Sequence, residues 1–454
     1  MYIIIAGDGK VGEMLTRQLS AEGHDITLID RDADVLESSI EQYDVMSVVG
    51  NCASMETLRQ AGVERADLLI TATSSDEINL LCCMTAHGMN RSLHTIARIR
   101  TPEYAESVYA MRKTFALSFT VNPERQAAAE IDHLLKYPEF LHRETFAQGL
   151  VEIVEIRIKD ENSKLANQPL NRMESIVHCQ TLVCAVTRDG QTTIPSGDFV
   201  LRAGDRIFVT ASAQNLSILL KNLGIIQKRM KNAMLVGGGR ICYYLTQRLL
   251  KEGVNVKIID QNQARCEALA ESLPKAVVVC MDASIHSNLV KEGLEECDAL
   301  VAMTGIDELN IVLGVYGSAL NIPRIVTKLG RADNIRILDD LSVGGIVSPK
   351  ELCANQIVQY VRAMHNQVGA AVTVHSIADG QAEAIEFVVD ETTRHCGTEL
   401  KDLKLRKNVL LASITRGRDL IFPRGDTYFQ PGDRMVVVSA GGNVISQIND
   451  IFAK

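Results

Sequence analysis

Glycines and an aspartate near the N-terminus have the types and the spacing of a nucleotide-binding site. Gly7-Asp8-Gly9-Lys10-Val11-Gly12 follows an apolar run, and Asp30 ends a second apolar run 18 residues after Gly12. In such a motif the first glycine allows a tight turn, the second lets a pyrophosphate approach the backbone, and the third brings helix close to strand. Free N–H groups at the helix start then face the anion, and Asp30 accepts from both ribose hydroxyls. The alternative is a glycine-rich turn that holds no ligand.

The motif occurs a second time. Adding 230 to the positions of Gly7, Gly9 and Asp30 gives Gly237, Gly239 and Asp260, so a whole unit is duplicated. The third glycine position becomes Cys242, and we expect its side chain to push the helix from the strand and to crowd a pyrophosphate. The second site therefore ranks below the first.

The elements that must position these residues repeat as well. Residues 66–73 correspond to residues 297–304, and Asp76-Glu77-Ile78-Asn79 corresponds to Asp307-Glu308-Leu309-Asn310. Val121-Asn122-Pro123 matches Val347-Ser348-Pro349, and each proline opens a helical pattern, where its missing N–H costs nothing. The order of strand, glycines, helix and second strand predicts a Rossmann-like lobe in each copy.

A different repeat follows each of these lobes. Residues 194–198 with residues 202–209 match residues 422–426 with residues 430–437, and alternating apolar residues flank the Gly-Asp turns. This pattern is typical of short strands in a small α+β module. We interpret Gly204-Asp205-Arg206 and Gly432-Asp433-Arg434 as β-turns with an internal ion pair rather than as effector sites.

The predicted fold class is therefore α/β, with two tandem Rossmann-like nucleotide-binding lobes that are each followed by a small α+β C-terminal lobe. A single core is improbable for 454 residues. The expected domains are the first Rossmann-like lobe at 1–122, a crossover helix region at 123–145, the first C-lobe at 146–228, the second Rossmann-like lobe at 229–348, a crossover helix region at 349–368, and the second C-lobe at 369–454. Hinges are expected near 146–149 and 226–231. The apolar faces of the two crossover helices (Ile131, Leu134, Leu135 and Ile357, Val358, Val361) pack either between subunits or into the core of one chain.

Composition excludes several classes of protein. The hydrophobic content of 46% with 23% charged residues is ordinary for a globular protein, and the sequence contains no apolar run of about 18 residues. We expect a cytoplasmic protein. The net charge of −9 and the absence of tryptophan argue against nucleic-acid binding. Eleven cysteines without metal-ligand spacing indicate small buried side chains rather than a disulfide framework or a zinc site.

Catalytic patterns are missing from the sequence. It contains no GxSxG, HExxH or P-loop pattern, and its ten histidines have no catalytic spacing. Glu77 and Asp307 are conceivable carboxylate catalysts, but acids at this place more often cap the N–H groups of a helix start. A nucleotide site without chemistry suggests a sensor. The alternative is an NAD-dependent oxidoreductase with an unrecognised catalytic centre.

The repeat order, together with GDGKVG, LIDRD, ITATSSDEIN and IARIR, resembles the TrkA family of peripheral regulatory subunits of bacterial Trk potassium uptake systems. The resemblance covers essentially the whole chain, and each half resembles a domain that regulates potassium conductance. It implies NAD or NADH as the ligand, with ATP or ADP in either half, and no catalysed reaction. It also implies a homo-tetrameric ring on the cytoplasmic face of the inner membrane, beneath a membrane-embedded Trk-type potassium channel subunit. Nucleotide would then shift the populations of two ring arrangements and so gate the channel.

The resemblance further implies roles for individual residues. In the first half these are a pyrophosphate loop from Gly7 through Asp8, Gly9 and Lys10 to Val11, a ribose site at Asp30 with Arg31 beside it, an adenine site at Asn51 and Cys52, a strand end at Thr73 and Ser74, and phosphate cations at Arg98 and Arg100. In the second half they are Gly237, Gly238, Gly239, Arg240, Ile241, Asp260, Asp282, Thr304 and Lys328. Arg240 either favours a phosphate-rich ligand or pairs with a surface acid.

Overall fold

The chain divides into two compact units, each built from two separate segments. The structure, a computed structural model, describes residues 1–136, 142–158, 163–223, 230–330, 343–364, 371–378, 380–442, 445 and 447–453. One unit joins Met1–Pro138 with Arg229–Val358, and the other joins Glu139–Lys228 with Gln359–Lys454. The predicted boundaries at 228/229 and 368/369, and residues 226–229 of the second expected hinge, lie outside the described residues. Like modules therefore associate with like, although they alternate along the chain.

The first lobe is a parallel sheet covered by helices. Its strands are parallel and lie in the order β3-β2-β1-β4-β5-β6. The order along the chain runs one way from β1 to β3 and the other way from β4 to β6, and folds of this kind bind ligands at that switch point between β1 and β4. The strands are apolar on both faces because helices cover both, and Ile3, Ile4 and Ile5 are fully buried. The elements are β1 (Tyr2–Ala6), α1 (Lys10–Ala21), β2 (Asp25–Asp30), α2 (Ala33–Gln42), β3 (Met46–Val49), α3 (Met55–Gln60), β4 (Leu68–Thr71), α4 (Asp76–Met89), β5 (His94–Arg98), α5 (Pro102–Ala110), β6 (Phe119–Val121) and the crossover helix α6 (Pro123–Lys136).

The first C-lobe is an antiparallel sheet with two short helices. Its strands lie in the order β10-β9-β11-β8-β7. The elements are β7 (His142–Phe146), β8 (Val151–Arg157), α7 (Met173–Val177), β9 (Leu182–Arg188), β10 (Gln191–Thr193), β11 (Arg206–Ala211) and α8 (Ala213–Asn222).

The second lobe repeats the topology of the first, with the parallel order β14-β13-β12-β15-β16-β17. Its elements are β12 (Asn232–Val236), α9 (Arg240–Lys251), β13 (Asn255–Asp260), α10 (Gln263–Ser272), β14 (Val277–Cys280), α11 (His286–Lys291), β15 (Ala299–Ala302), α12 (Asp307–Ala319), β16 (Arg324–Lys328), β17 (Gly345–Val347) and the crossover helix α13 (Pro349–Met364).

The second C-lobe likewise repeats an antiparallel sheet, in the order β18-β19-β22-β20-β21. Its strands are β18 (Ala371–Ile377), β19 (Ala382–Val388), β20 (Val409–Arg416), β21 (Asp419–Ile421) and β22 (Arg434–Ala440).

The expectation of an ion pair inside each C-lobe turn is wrong. Gly204 and Gly432 do form turns with positive φ, but Asp205 is buried and pairs with Arg188 of β9 at 2.7 Å. Its neighbour Arg206 pairs instead with Glu155 of β8. Successive side chains at a strand start point to opposite faces, so adjacent Asp and Arg cannot easily meet each other.

The first crossover helix packs into the second lobe of the same chain. Ile131 and Leu135 of α6 are fully buried in one core with Leu245 and Leu249 of α9. The other crossover helix contacts the first lobe, where Gln18 of α1 donates to Asn355 of α13 at 3.3 Å. Gln126 of α6 and Gln356 of α13 hydrogen-bond to each other, which links the two crossover helices. The apolar face of α6 therefore completes the core of one chain.

Within the described residues, no helix is both long enough and apolar enough to cross a membrane.

Candidate nucleotide-binding sites

The first glycine loop has the backbone geometry of a phosphate loop. Gly7 has φ +98°, and a Cβ built there would lie 2.8 Å from the backbone nitrogen of Thr73. A Cβ on Gly12 would lie 2.1 Å from the carbonyl oxygen of Gly7, so helix and loop approach each other closely. Gly9 is the N-cap of α1, makes no side-chain cap, and has nothing within 4 Å of an added Cβ. The N–H groups at the start of α1 therefore face open space that an anion can fill.

Asp30 is held at the carboxyl end of β2 by the loop beneath it. Its Oδ2 accepts from the backbone N–H of Asp8 at 2.7 Å, and its Oδ1 accepts from that of Asp32 at 3.1 Å. The side chain is thereby oriented before any ligand arrives. A carboxylate fixed at this strand end can accept hydrogen bonds from ribose hydroxyls.

An asparagine of α4 fixes the end of β4. Asn79 Oδ1 accepts from the Thr73 hydroxyl at 2.7 Å and from its N–H at 3.0 Å, while Asn79 Nδ2 donates to the carbonyl of Arg98 at 2.9 Å. The second lobe uses Asn310 in the same way, with Thr304 at 2.7 Å and the carbonyl of Lys328 at 3.0 Å. The repeated threonine and asparagine thus position the predicted strand-end residues and the cation-bearing strand together.

Asp307 and its equivalent Asp76 do not have the capping role that we expected of acids at this place. Ser75 caps α4 by accepting from Ile78 N, whereas the buried Asp76 accepts from the backbone N–H groups of Arg100 and Thr101. Asp307 likewise accepts from the N–H of Gly330 at 2.8 Å. These carboxylates tie the loop after the fifth strand to the helix start, because that loop carries otherwise unsatisfied donors. Glu77 accepts from the hydroxyls of Ser75 and Tyr104.

The first cavity, of about 600 Å³, lies at the carboxyl ends of the strands where the strand order reverses. Most of the residues predicted for the first half line it: Gly7, Gly9, Lys10, Val11, Asp30, Arg31, Cys52, Thr73, Ser74, Arg98 and Arg100. Two of the predicted residues do not. Asn51 is exposed and its side chain accepts from Ala53 N, while Asp8 is buried under the loop.

Hydrogen bonds to backbone carbonyls hold the guanidinium groups of Arg98 and Arg100 in place. Arg98 Nη2 donates to the carbonyl of Thr73 at 2.8 Å, and Arg100 donates to the carbonyl of Ser74. Burial, with a contribution from the nearby Arg100 charge, lowers the pKa of Arg98. Two guanidinium groups held side by side against carbonyls favour an anionic ligand in front of them.

The second lobe completes the first cavity, which the sequence analysis did not predict. Lys328, Gly330 and Lys350 of that lobe line it, and Glu124 of the first crossover helix does so too. Lys350 Nζ donates to the carbonyl of Gly330. Burial and the neighbouring Lys10 and Lys328 lower the pKa of Lys350 to about 8. The sequence does indicate that Lys350 and Glu124 hold equivalent places, because each follows the proline that opens a crossover helix. It does not show that the starts of both helices meet at one cavity.

The second cavity, of about 1220 Å³, is lined by every residue predicted for the second half. Those residues are Gly237, Gly238, Gly239, Arg240, Ile241, Asp260, Asp282, Thr304 and Lys328. Glu124 of the first lobe and Arg265 of α10 also line it. Cys242 is fully buried at the third glycine position, and burial raises the pKa of its thiol to about 12.

The two aspartates predicted to bind ribose, Asp30 and Asp260, have different partners. Asp260 accepts from the N–H of Gly238 at 2.7 Å and from that of Asn262 at 2.8 Å, and it also pairs with Arg265 Nη1 at 3.0 Å. Burial opposes these interactions, yet the pKa of Asp260 is lowered. Its charge is already partly compensated, so this carboxylate is a less available acceptor than Asp30.

Comparison with known proteins matches both kinds of module twice. The TrkA-N domain matches residues 3–118 and 233–349, and the TrkA-C domain matches residues 153–224 and 384–452. The Trk system potassium uptake protein TrkA of Vibrio alginolyticus is 28% identical over 100% of this chain and 98% of its own length. The Trk system potassium uptake protein TrkA homolog of Archaeoglobus fulgidus is 30% identical over 100% of both chains.

Solved structures share the architecture. The GsuK RCK domain superposes with a TM-score of 0.62 at 18% identity, covering 97% of this chain and 92% of that chain. The GsuK channel bound to NAD gives a TM-score of 0.61 at 18% identity, covering 97% of this chain and 76% of that chain. At this identity the likeness shows the fold alone.

Two Rossmann-like lobes with cavities at their switch points, each followed by a small antiparallel lobe, define a tandem protein with paired TrkA-N and TrkA-C domains. The predicted fold class is confirmed. The chain belongs to the TrkA family, which also confirms the resemblance found in the sequence.

Proposed function

We propose that this protein is a nucleotide-responsive regulatory subunit that gates a membrane potassium channel or transporter of the Trk type. The observation that carries the proposal is the match over the full chain to proteins named for Trk potassium uptake. The protein would act at the cytoplasmic face of the inner membrane, attached to a membrane-embedded channel subunit. It would bind ligands without catalysing a reaction.

The ligands that we propose are NAD or NADH, with ATP or ADP possible in either half. Structural neighbours include GsuK bound to NAD and GsuK bound to ADP. In the first cavity the start of α1 would hold the pyrophosphate, Asp30 would accept from the ribose, and Arg98 and Arg100 would face the phosphates. Free ribose hydroxyls suit Asp30, whereas a 2′-phosphate would meet its negative charge.

A homo-tetrameric ring is the assembly that we propose. Both lobes expose apolar side chains at equivalent positions, Leu81 and Met84 in the first lobe and Val312 and Val315 in the second, and Met55 and Ile285 near the starts of α3 and α11 are exposed as well. A set of exposed apolar residues that is repeated in both lobes suits burial against further copies of the chain. Leu81→Asp should reduce the mass measured by light scattering in solution while leaving the circular dichroism spectrum unchanged. A variant that keeps the mass of the unmodified protein would exclude this surface from assembly.

Gating would follow from unequal affinity of a nucleotide for two arrangements of the ring. A shift from mostly closed to mostly open needs a summed preference of about 5.5 kcal/mol. Two cavities in each chain of a tetramer can share that requirement, so each site needs only a modest preference.

Calorimetric titration with NADH, NAD, ATP and ADP tests the ligand assignment, and potassium flux through the reconstituted channel tests the gating. We expect binding without consumption of the nucleotide and a flux that depends on which nucleotide is bound. Oxidation or reduction of NAD in the presence of a substrate would favour the alternative, an NAD-dependent oxidoreductase. Flux that is insensitive to every nucleotide would contradict the proposal.

A further inference from the structure

The two crossover helices carry opposite charges at equivalent positions. Glu124 follows Pro123 at the start of α6, and Lys350 follows Pro349 at the start of α13. Both side chains line the first cavity, whereas Glu124 is the one that lines the second. Duplicated helices thus deliver different charges to duplicated cavities.

The two cavities differ in the formal charge of the side chains that line them. Among the described lining residues, the first cavity has six cationic side chains against two carboxylates. The six cations are Lys10, Arg31, Arg98, Arg100, Lys328 and Lys350, and the carboxylates are Asp30 and Glu124. The second cavity has three of each, Arg240, Arg265 and Lys328 against Glu124, Asp260 and Asp282. Among the described lining residues, an excess of formal positive charge is therefore confined to the first cavity.

The lysines of the first cavity repel one another at the junction of the lobes. Lys350 lies near Lys10 of the first lobe and Lys328 of the second, and Asp307 is the nearby acid that partly offsets them. Like charges gathered in a partly buried site disfavour the empty state. A ligand with several negative charges relieves this repulsion, and each added phosphate charge should raise its affinity.

We propose that the first cavity selects nucleotides by phosphate charge and that Lys350, supplied by the second lobe, is a specificity-determining residue of that selection. The second cavity, with balanced charges, takes nucleotides with little regard to phosphate number. The inference rests on the proposed function, because it assumes that both cavities bind nucleotides. Its consequence is that a polyphosphate in the first cavity contacts both lobes of one chain.

The test is calorimetry of the full chain with AMP, ADP and ATP, using Lys350→Gln, Lys350→Arg and the exposed control Lys275→Gln. In the unmodified protein, affinity for the first cavity should rise from AMP to ATP. Lys350→Gln should reduce the ratio of ATP affinity to AMP affinity by about tenfold to a hundredfold, since hydrogen bonds to charged groups are strong. Lys350→Arg and Lys275→Gln should keep the ratio close to that of the unmodified protein.

Glu124→Gln provides a second test, because this carboxylate lines both cavities and its removal should raise ATP affinity in both. Thermal unfolding identifies any variant that fails to fold. Lys350→Arg changes the same position but keeps its positive charge, so it separates the effect of the charge from the effect of the substitution. An unchanged ATP to AMP ratio in folded Lys350→Gln would overturn this inference while leaving nucleotide binding intact. Failure of the unmodified protein to bind any nucleotide would instead contradict the proposed function.

Discussion

At the scale of the residue, the two aspartates proposed to bind ribose, Asp30 and Asp260, show how one added partner changes an otherwise repeated group. Each accepts two backbone N–H groups, but only Asp260 is also paired with an arginine among the interactions described for the two. Arg265 Nη1 donates to Asp260 Oδ2, which already accepts from the N–H of Gly238. The two cavities should therefore depend on these carboxylates to different extents.

Asp30→Asn should weaken nucleotide binding to the first cavity by about tenfold or more, because one charged acceptor is lost. The amide oxygen can still accept from one backbone N–H, so the fold should persist. Calorimetry gives the affinity, and Asp260→Asn is the matched variant, with a smaller expected loss. Equal affinities for Asp30→Asn and the unmodified protein would remove Asp30 from the site.

Asp8 affects stability rather than binding. Burial raises its pKa to about 6; the Ser39 hydroxyl opposes this shift, and the charges of Asp30 and Glu13 add to it. Because the folded pKa exceeds the ordinary value of 3.8, the group favours the fold below pH 3.8 and loses that contribution as pH rises through 6.

At pH 8 the free energy of unfolding of Asp8→Asn should therefore exceed that of the unmodified protein by up to about 3 kcal/mol, the equivalent of a pKa displaced from 3.8 to about 6. The difference should shrink as the pH falls through 6 and be small near pH 4, because the folded carboxyl is then protonated and the unfolded one is close to its ordinary pKa of 3.8. Urea unfolding at pH 4, 5, 6 and 8 measures this, with the exposed Asp25→Asn as control. A difference that does not change with pH would mean that the Asp8 charge is not its cause.

At the scale of the element, the turn from β1 to α1 contains glycines for two different reasons, one set by the backbone and one by the space around the loop. Gly7 is required by its own backbone, since φ is +98° and Thr73 lies too close for a Cβ. Gly9 has φ −71° and open space around it, so the protein fold alone does not require glycine there. The remaining reason for Gly9 is room for a ligand.

Gly7→Ala should lower the free energy of unfolding by at least about 1 kcal/mol, because both the backbone angle and the backbone contact become strained. Gly9→Ala should unfold like the unmodified protein but bind nucleotide more weakly, since the added methyl lies where a pyrophosphate approaches. Chemical unfolding and calorimetry on the two variants give the comparison. Normal nucleotide affinity in Gly9→Ala would place the pyrophosphate elsewhere.

At the scale of the whole molecule, the two nucleotide lobes share a core although a C-lobe separates them in sequence. Ala127, Ala128, Ile131 and Leu135 of α6 lie in one cluster with side chains of α9, β16 and β17. The crossover helix is thus part of the second lobe's hydrophobic interior. The lobes should therefore unfold cooperatively.

Ile131→Ala should cost about 2 to 5 kcal/mol, because it leaves a cavity in a fully buried site. Calorimetric unfolding should show the shared transition of both nucleotide lobes moving to lower temperature. Ile40→Ala, at a half-exposed position of α2, should change the transition little. Separate transitions, with only one affected by Ile131→Ala, would argue against a shared core.

The sequence predicts the features that depend on short stretches of chain. The glycine turn, the strand ending at Asp30 and the paired Thr-Asn segments each lie within a few dozen residues, where backbone sterics and periodicity act. The predictions that Asp307 caps a helix and that Gly204-Asp205-Arg206 contains an ion pair were wrong because both depend on residues distant in the sequence. Their actual partners, Gly330 and Arg188, come from other strands or the loops that follow them.

The sequence by itself determined the duplication, the Rossmann-like and α+β modules, the family and most residues that line each cavity, because local pattern and spacing encode them. Only the tertiary structure decided that the first cavity includes Lys328 and Lys350, that Glu124 lines both cavities, and that Arg265 partly compensates Asp260. These contacts form when the crossover helices pack onto the neighbouring lobe. The repeats specify the same backbone twice, but packing sets which charges face each cavity.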